Sequence, residues 1–209
     1  MRASGASTSA LHGQLHSGAI HIGDKIKATI SRITMSWNSI SAIDPAGEPL
    51  AFDSAMLAGD SSVTMSYTVI SHNSNYVNVA TTKDVGVSGT TLELDGPADV
   101  RRSRITDNRV KVVSKSGEAG ATNGIAVYDF SDNARQVTIA DTVISNNRSI
   151  AVGKHGSAVV YGGGIVNNRL LELNRVTVRG NTADAQSPSA IAQGGGSGTA
   201  YCCPGRPYG

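Results

Sequence analysis

Charged side chains that could do chemistry are concentrated in residues 95–109. Asp95 and Asp99 supply two carboxylates, and four arginines follow them, namely Arg101, Arg102, Arg104 and Arg109. On one face of a fold these groups could bind an acidic sugar, because the guanidinium fork of arginine matches the geometry of a carboxylate. Asp99, Arg101 and Arg104 are therefore the candidate ligand-binding residues.

The same stretch also has an interpretation that needs no ligand. An Asp-Gly-Pro sequence, found at residues 95–97, is an ordinary turn between two strands. A calcium ion needs about six to eight oxygen ligands, and the stretch offers only the two carboxylates. We interpret the acidic pair as a turn and the arginines as a solvated edge, with the binding of an anionic glycan as the alternative.

The remaining polar residues do not form a recognisable catalytic set. The segment Lys154-His155-Gly156 holds an imidazole, but a general acid or base needs positioned partners, so we predict that His155 is the polar tip of a loop. Neither of the two Gly-Gly-Gly segments is followed by the Lys-Ser/Thr of a phosphate loop. We therefore assign no catalytic, cofactor-binding or metal-binding residue.

A repeated phrase of eleven residues indicates the elements that position these groups. VTMSYTVISHN at residues 63–73 and VTIADTVISNN at residues 137–147 are identical at seven positions. Similar phrases occupy residues 28–38, 98–108 and 171–181. All five end in asparagine, with spacings of 35, 35, 39 and 34 residues, at Asn38, Asn73, Asn108, Asn147 and Asn181. Self-similarity at a nearly fixed period predicts a repeat architecture.

Each phrase has the pattern of two short strands. Residues three, eight and ten positions before each asparagine are apolar in all five phrases, and the last two positions show the two-residue period of a strand. The phase of this alternation shifts between the strands, which predicts a bend at Ser31-Arg32, Ser66-Tyr67, Arg101-Arg102, Ala140-Asp141 and Asn174-Arg175. A third strand is expected upstream, in residues 18–22, 50–57, 90–96, 124–128 and 162–168. We expect the segments after the asparagines to be irregular loops, because they differ in length and content.

Three short strands per repeat, joined by bends, describe one coil of a parallel β-helix. The fold class is therefore all-β, a parallel β-helix (solenoid) of about five coils. We place a polar segment with a truncated start at residues 1–17, the repeat domain at residues 18–196, and a disordered or truncated tail at residues 197–209.

The asparagine that ends each phrase has two physical explanations. Asparagine tolerates the left-handed backbone conformation, which suits the point where a strand turns. Stacked asparagines can also hydrogen-bond to one another along a rod, so we expect the five asparagines to form a structural turn ladder. Trp37, just before Asn38, is expected to cover the first coils rather than to stack on a sugar.

The composition limits the classes of function. A net charge of +2 with mixed signs indicates no basic surface for nucleic acid, and an aromatic content of 4% leaves little for base stacking. Apolar runs all fall short of the roughly 18 residues that a membrane-spanning helix needs, and residues 1–25 lack the apolar core of a secretion signal. Cys202 and Cys203 are adjacent, about 3.8 Å apart at Cα, which is too close for ordinary disulfide geometry.

The segments LELNRVTVRGNTADA (171–185) and YGGGIVNN (161–168) carry a family resemblance. They resemble the repeats of right-handed parallel β-helix proteins of bacterial surfaces, including polymorphic outer-membrane-protein-like repeats with a pectin-lyase-like fold, over roughly residues 18–196. The resemblance implies a right-handed helix of the single-stranded type, an extracellular or bacterial cell-surface location, and contact with polysaccharide or host-surface glycans. We expect a non-catalytic scaffold or adhesion module that is a fragment of a longer exported protein.

The same fold family also contains pectate lyases and polygalacturonases, which makes an enzyme acting on an acidic polysaccharide the alternative function. Residues 95–99 resemble the DGxxD segment of pectate lyases, and this resemblance implies a calcium cofactor and an arginine or lysine base. The NTD, DD and RIK segments that polygalacturonases share are missing from the sequence, and Lys154-His155-Gly156 is only a fragment of their GHG segment. The non-catalytic interpretation is therefore preferred.

Overall fold

The computed structural model describes residues 14–15, 18–44, 50–51, 55–79, 91–127, 136–167, 170–193 and 197–198. Within these ranges the regular elements are all β-strands. Most of the expected N-terminal segment and tail, including Cys202 and Cys203, lies outside the described residues. The prediction of an all-β fold is confirmed.

The strands follow one another in five repeats. After β1 (Gln14–Leu15), the first repeat contains β2 (Ile20–Ile22), β3 (Lys27–Ser31), β4 (Thr34–Ser36), β5 (Ser39–Asp44) and β6 (Leu50–Ala51). The second repeat contains β7 (Met56–Ala58), β8 (Ser62–Ser66), β9 (Val69–Ser71) and β10 (Ser74–Val79). The third contains β11 (Leu92–Leu94), β12 (Ala98–Arg101), β13 (Arg104–Thr106), β14 (Arg109–Ser114) and β15 (Ala119–Thr122).

The last two repeats have the same order of strands. The fourth repeat contains β16 (Ile125–Val127), β17 (Val137–Ala140), β18 (Val143–Ser145), β19 (Arg148–Gly153) and β20 (Ser157–Tyr161). The fifth contains β21 (Ile165–Asn167), β22 (Leu171–Asn174), β23 (Thr177–Arg179), β24 (Thr182–Gln186) and β25 (Ser189–Gln193), and β26 (Ser197–Gly198) follows it. The predicted third strand upstream of each phrase is present as β2, β7, β11, β16 and β21.

Equivalent strands of successive repeats pair in parallel and build the stacked sheets. Sheet I contains β2, β7, β11, β16, β21 and β26; sheet II contains β3, β8, β12, β17 and β22; sheet III contains β4, β9, β13, β18 and β23. Sheet IV contains β5, β10, β14, β19 and β24, sheet V contains β15, β20 and β25, and β1 pairs with β6. A chain that passes through the same sheets once per repeat is a parallel β-solenoid.

The register of the sheets is constant along the rod. In sheet II, for example, one column of paired residues consists of Ala28, Val63, Ala98, Val137 and Leu171. The solenoid has about four turns, which at a strand spacing of about 4.8 Å make a rod of about 19 Å. Its right-handedness and the count of five coils stay predictions.

Two apolar layers fill the rod. The larger layer lies between sheets I, II and III and includes Met65, Val100 and Ile139, which have no exposed surface. The smaller layer lies between sheets IV and V and consists of valine, alanine and isoleucine side chains. In the three middle repeats, the apolar residues three, eight and ten positions before the asparagine are all buried, as the alternation in the sequence predicts.

The expectation of irregular loops directly after the asparagines is wrong. The strands of sheet IV begin with the residue that follows each asparagine, and sheet V adds a further strand to the third, fourth and fifth repeats. Small inward residues, such as Ala121, Ala151 and Ala158, fill the space between these two sheets. Because alanine gives little hydrophobic contrast, the strand alternation is weak in the sequence of β15, β19 and β24.

Residues with a left-handed backbone form both bends of the phrase. At the first bend, φ lies between 49° and 55° at Arg32, Tyr67, Arg102, Asp141 and Arg175, which confirms the predicted bend. At the second bend, φ lies between 57° and 64° at Trp37, His72, Asp107, Asn146 and Gly180. The left-handed residue of the second bend therefore precedes the asparagine, and the explanation of the asparagine by its own left-handed backbone is wrong.

The asparagines form a continuous hydrogen-bonded ladder through the interior. Asn73 Nδ2 donates to Asn108 Oδ1 at 2.9 Å and to the carbonyl oxygen of Met35 at 3.1 Å. Asn73 Oδ1 accepts from the backbone N–H and from Nδ2 of Asn38, at 3.0 and 2.8 Å. Asn108 and Asn147 repeat this pattern, and the ladder reaches Asn181. Each rung thus satisfies the hydrogen-bonding groups of one side-chain amide and of the backbone at the bend, both of which are shielded from water.

A second ladder of hydroxyl groups runs beside the first bend. The backbone N–H of Thr68 donates to Ser103 Oγ at 3.2 Å, and the N–H of Ser103 donates to Thr142 Oγ1 at 3.3 Å. Each of these hydroxyls donates to a carbonyl oxygen two residues before it in its own repeat. Small polar side chains therefore satisfy the backbone where strand pairing stops.

We expect Asn108→Ala to lower the free energy of unfolding by about 3 kcal/mol or more, because buried partners on both neighbouring repeats lose their hydrogen bonds. The control is Asn174→Ala, since Asn174 is exposed on β22, and its effect should stay within about 0.5 kcal/mol. Chemical denaturation followed by circular dichroism measures both changes. Equal effects of the two substitutions would contradict the structural role of the ladder.

Candidate ligand-contact surface

The two bends place large side chains on either side of sheet III, whose strands are only three residues long. The first-bend column contains Arg32, Tyr67, Arg102, Asp141 and Arg175, and the second-bend column contains Trp37, His72, Asp107, Asn146 and Gly180. Between the columns, sheet III presents Thr34, Val69, Arg104, Val143 and Thr177 in register. We call this surface, formed by the two columns and the strands between them, the sheet III face.

Trp37 and His72 are stacked neighbours in the second-bend column. Their ring centroids are 4.5 Å apart and the ring planes are inclined by 18°. Trp37 is 71% exposed, so the expectation that it covers the first coils is wrong. The left-handed backbone at the bend turns this position away from the core, whereas Met35, two residues earlier, points inward and is buried.

Two arginines flank Tyr67 in the first-bend column. The guanidinium carbon of Arg32 lies 6.0 Å from the ring centroid of Tyr67, and that of Arg102 lies 5.4 Å from it. Arg102 also donates a hydrogen bond from Nη1 to the hydroxyl of Tyr67. Cation–π contacts of this kind hold the arginines in place while the guanidinium groups stay accessible to an anion.

The three candidate residues from the sequence lie close to this surface but differ in their partners. Asp99 and Arg101 both stand on β12 and form an ion pair, in which Arg101 Nε lies 2.7 Å from Asp99 Oδ1. Arg104 is exposed at the start of β13, in the sheet III face itself. Residues 95–97 connect β11 to β12, as the interpretation of Asp95 as part of a turn predicts.

The electrostatics of Arg101 favour its charged form. The hydrogen bond with Asp99, together with the negative charge of Asp99, raises the pKa of Arg101 above its ordinary value. Asp141 in the fourth repeat and Glu172 in the fifth act in the same direction. A guanidinium held in this way keeps its proton, which suits the binding of an anion and does not suit a general base.

Asp141 and Arg175 form an ion pair within the first-bend column. Arg175 donates from Nε and Nη2 to the two carboxylate oxygens of Asp141, at 2.5 and 2.9 Å. The hydrogen bond from Arg175 lowers the pKa of Asp141, and the charges of Arg102 and Arg101 add to this shift. The acidic part of the column is thereby neutralised, whereas Arg32, Arg102 and Arg104 form no ion pair within the described ranges.

Other residues considered for chemistry lie apart from this surface. His155 is exposed in the turn between β19 and β20, where its backbone N–H donates to the carbonyl oxygen of Lys115. In the part of the chain that the structure describes, His, Cys, Asp and Glu do not cluster in threes as a metal site would require. The same described ranges also contain no helix that is long and apolar enough to span a membrane.

Arg32 and Tyr67 were predicted only as bend residues, and Arg32, Tyr67 and His72 were not among the predicted ligand-binding residues. Each lies at a constant offset from a ladder asparagine, six positions before it for Arg32 and Tyr67 and one position before it for His72. In a solenoid, residues at a constant offset are expected to form a column in which successive residues lie about 4.8 Å apart. The constant offset therefore predicts which residues are aligned along the solenoid, but it does not predict whether their side chains point inward or outward.

Searches against protein-family models, curated proteins and solved structures all gave no match. The class of this protein is therefore defined by its own architecture, which is that of a parallel β-solenoid. Among the described residues, the exposed side chains of Trp37, Tyr67, Arg32 and Arg102 lie in the two columns beside sheet III.

Trp37→Ala should change the free energy of unfolding by less than about 1.5 kcal/mol, because Trp37 contributes a surface stacking contact and little buried area. Met35→Ala should cost about 2–5 kcal/mol, because it opens a cavity in the core of the same repeat. Denaturant titration of both variants checks the pair. A larger loss for Trp37→Ala than for Met35→Ala would contradict the exposure of the tryptophan.

The lowered pKa of Asp141 predicts a pH dependence of stability. The ion pair with Arg175 stabilises the fold above the unfolded-state pKa of aspartate, about 3.9, and this contribution disappears as the pH falls through the lower folded-state pKa. The melting temperature of the original chain should therefore exceed that of Asp141→Asn near pH 7, and the difference should shrink below about pH 4. Thermal unfolding at several pH values measures it; a difference that grows in acid would contradict the assignment.

Proposed function

We propose that this chain is a non-catalytic β-solenoid scaffold whose sheet III face contacts glycans. The observation that carries the proposal is the presence of exposed aromatic rings and accessible cations on one face. Trp37 is stacked on the ring of His72 in one column, and Tyr67 lies between two arginines in the other. Flat aromatic faces suit the apolar faces of sugar rings, and guanidinium groups suit their carboxylate or sulfate substituents.

Several properties of the surface fit a long ligand that lies along the rod. The columns place one side chain per repeat at the strand spacing, so that successive contacts with a long ligand would lie at intervals of about 4.8 Å. Tyr67 is 48% exposed and Arg104 is exposed beside it. The face is not uniformly basic, because Asp141 and Asp107 lie in the same columns, and this mixture favours a sugar over a nucleic acid.

The proposed cellular role rests on the resemblance of the repeats. The resemblance implies a role in adhesion and an extracellular or bacterial cell-surface location. It also implies that the chain is part of a longer exported protein. A parallel β-solenoid suits such a role because repeat scaffolds present an extended and regular binding surface.

A polysaccharide lyase is the second candidate, favoured by one observation. Asp99 and Arg101 stand together on the outer face of β12, where a carboxylate and a basic group could act on an acidic sugar. The raised pKa of Arg101 argues against this function, because a lyase would need the arginine as a base. Both oxygens of Asp99 also accept from Arg101 Nε, which makes Asp99 a poorer calcium ligand.

Binding to an immobilised panel of neutral and acidic polysaccharides tests the proposal. We expect at least one glycan to be retained and Trp37→Ala to weaken its binding by about tenfold, which corresponds to about 1.4 kcal/mol. Tyr161→Ala is the matched control, since Tyr161 is a partly exposed aromatic residue on β20, in sheet V rather than beside sheet III. Equal losses for both variants, or no retention of any glycan, would contradict a glycan site on the sheet III face.

The same samples distinguish the lyase. The glycans are incubated with the chain in the presence of calcium or of a chelator, and unsaturated products and new reducing ends are measured. Product formation that stops when the chelator is added, and also stops in the Arg101→Gln variant, would support the polysaccharide lyase and contradict the non-catalytic scaffold.

A further inference from the structure

The outer face of sheet IV carries a column of side chains that can donate hydrogen bonds. Ile40, Val110 and Ala183 on three of its strands belong to the smaller apolar layer or pack against it, so the residue before each of them faces outward. We call the outward residues in this register the donor column; its members are Ser39, Ser74, Arg109, Arg148 and Thr182. The donor column contains no carboxylate, whereas each bend column of the sheet III face contains one.

Two arginines stand directly opposite each other in the donor column. Arg109 on β14 and Arg148 on β19 are register partners on neighbouring parallel strands, about 4.8 Å apart at Cα, and both side chains are exposed. Like charges directly opposite each other destabilise a sheet. The pair therefore places two positive charges where a bound anion would remove their repulsion.

A third cation lies beside the two arginines. Lys111 is the next outward residue after Arg109 on β14, and its register partner on β10 is Tyr76. The Nζ atom of Lys111 lies 5.9 Å from the ring centroid of Tyr76. This cation–π contact holds the ammonium group next to the donor column without neutralising its charge.

The carboxylates near the donor column leave Arg109 available. Arg148 Nη2 lies 3.4 Å from Asp184 Oδ2, on β24, which pairs with the side of β19 that faces away from Arg109. Asp107 belongs to the second-bend column, two residues before Arg109, and its Oδ1 accepts a hydrogen bond from Asn146 Nδ2 at 3.3 Å. Within the described ranges Arg109 itself forms no ion pair.

We propose that Arg109 and Arg148, together with Lys111, bind a tetrahedral oxyanion, namely a phosphate or sulfate group, on the outer face of sheet IV. One guanidinium fork satisfies the two oxygens of a carboxylate, whereas a phosphate or sulfate group has further oxygens that accept from a second fork at the same time. Ser74 beside Arg109 and Thr182 beside Arg148 offer hydroxyl donors to a ligand that extends along the column. The site is separate from the sheet III face, because the donor column shares no residue with it.

Thermal unfolding of the full chain with inorganic phosphate and with inorganic sulfate tests the site. An anion present at about ten times its dissociation constant should raise the melting temperature by about 3–6 °C for a chain of this length. Both anions also stabilise proteins without binding, because they are excluded from the protein surface. The measured quantity is therefore the difference between variants in the rise that each anion causes over chloride at equal ionic strength.

We expect Arg109→Gln to lose most of the rise in melting temperature, because it removes one of the two guanidinium forks. Arg148→Gln should have the same effect and provides a second, independent variant. Arg179→Gln is the matched control, since it removes the same charge from an exposed arginine on β23, outside the donor column, and it should keep the full rise. Equal rises in the original chain and in all three variants would overturn the site, because the anions would then act by exclusion alone.

The same assay distinguishes the source of the oxyanion when a sulfated polysaccharide and its desulfated form replace the inorganic ions. A larger Arg109-dependent rise with the sulfated polymer than with inorganic sulfate at the same sulfate concentration assigns the site to sulfate groups on a polymer. An equal or smaller rise assigns it to the free ion. No Arg109-dependent rise with any of these probes overturns the proposal. Trp37→Ala should leave the rise with the inorganic anions unchanged, so the outcome does not depend on glycan contact at the sheet III face.

Discussion

The hydrogen-bonded asparagine ladder is the interaction on which the rest of the structure depends. A solenoid must turn its chain at the same place in every repeat, and a turn removes backbone groups from the sheets on both sides. The ladder satisfies those groups with one side-chain amide per repeat, from Asn38 to Asn181. Because each amide bonds to the next repeat as well, the same contact fixes the turn and the stacking register.

The ladder also explains where the outward-facing chemistry lies. The residue before each asparagine takes the left-handed conformation, and its side chain is turned to the surface at Trp37 and His72. The first bend does the same for Arg32, Tyr67 and Arg102. Two structural turns thus create two surface columns whose spacing is that of the strands. The contact surface is a consequence of the way in which the rod is wound.

Uniform stacking leaves the edge strands of the solenoid without the cover that an inner repeat receives. Inside the rod each polar rung and each apolar column is covered by the next repeat, but the edge strand has nothing equivalent above it among the described residues. Val176 and Ile33 replace the hydroxyl residues at the two edges of their column, so the hydroxyl ladder runs only from Thr68 to Thr142. The asparagines have no such replacement, so within the described ranges the ladder begins at Asn38 and ends at Asn181, which donates from Nδ2 to the carbonyl oxygen of Ile144.

The sequence by itself determined the period, the two strands of each phrase, the bend between them and the all-β solenoid class. These properties depend on local alternation and on repetition, both of which are visible in one dimension. The strands of sheets IV and V were missed, and in β15, β19 and β24 the reason is that alanine at inward positions gives little contrast with its neighbours. The tertiary structure alone decided that Trp37 points outward and that Arg102 meets Tyr67. The first depends on the backbone direction at the bend, and the second joins residues 35 positions apart, which no local pattern encodes.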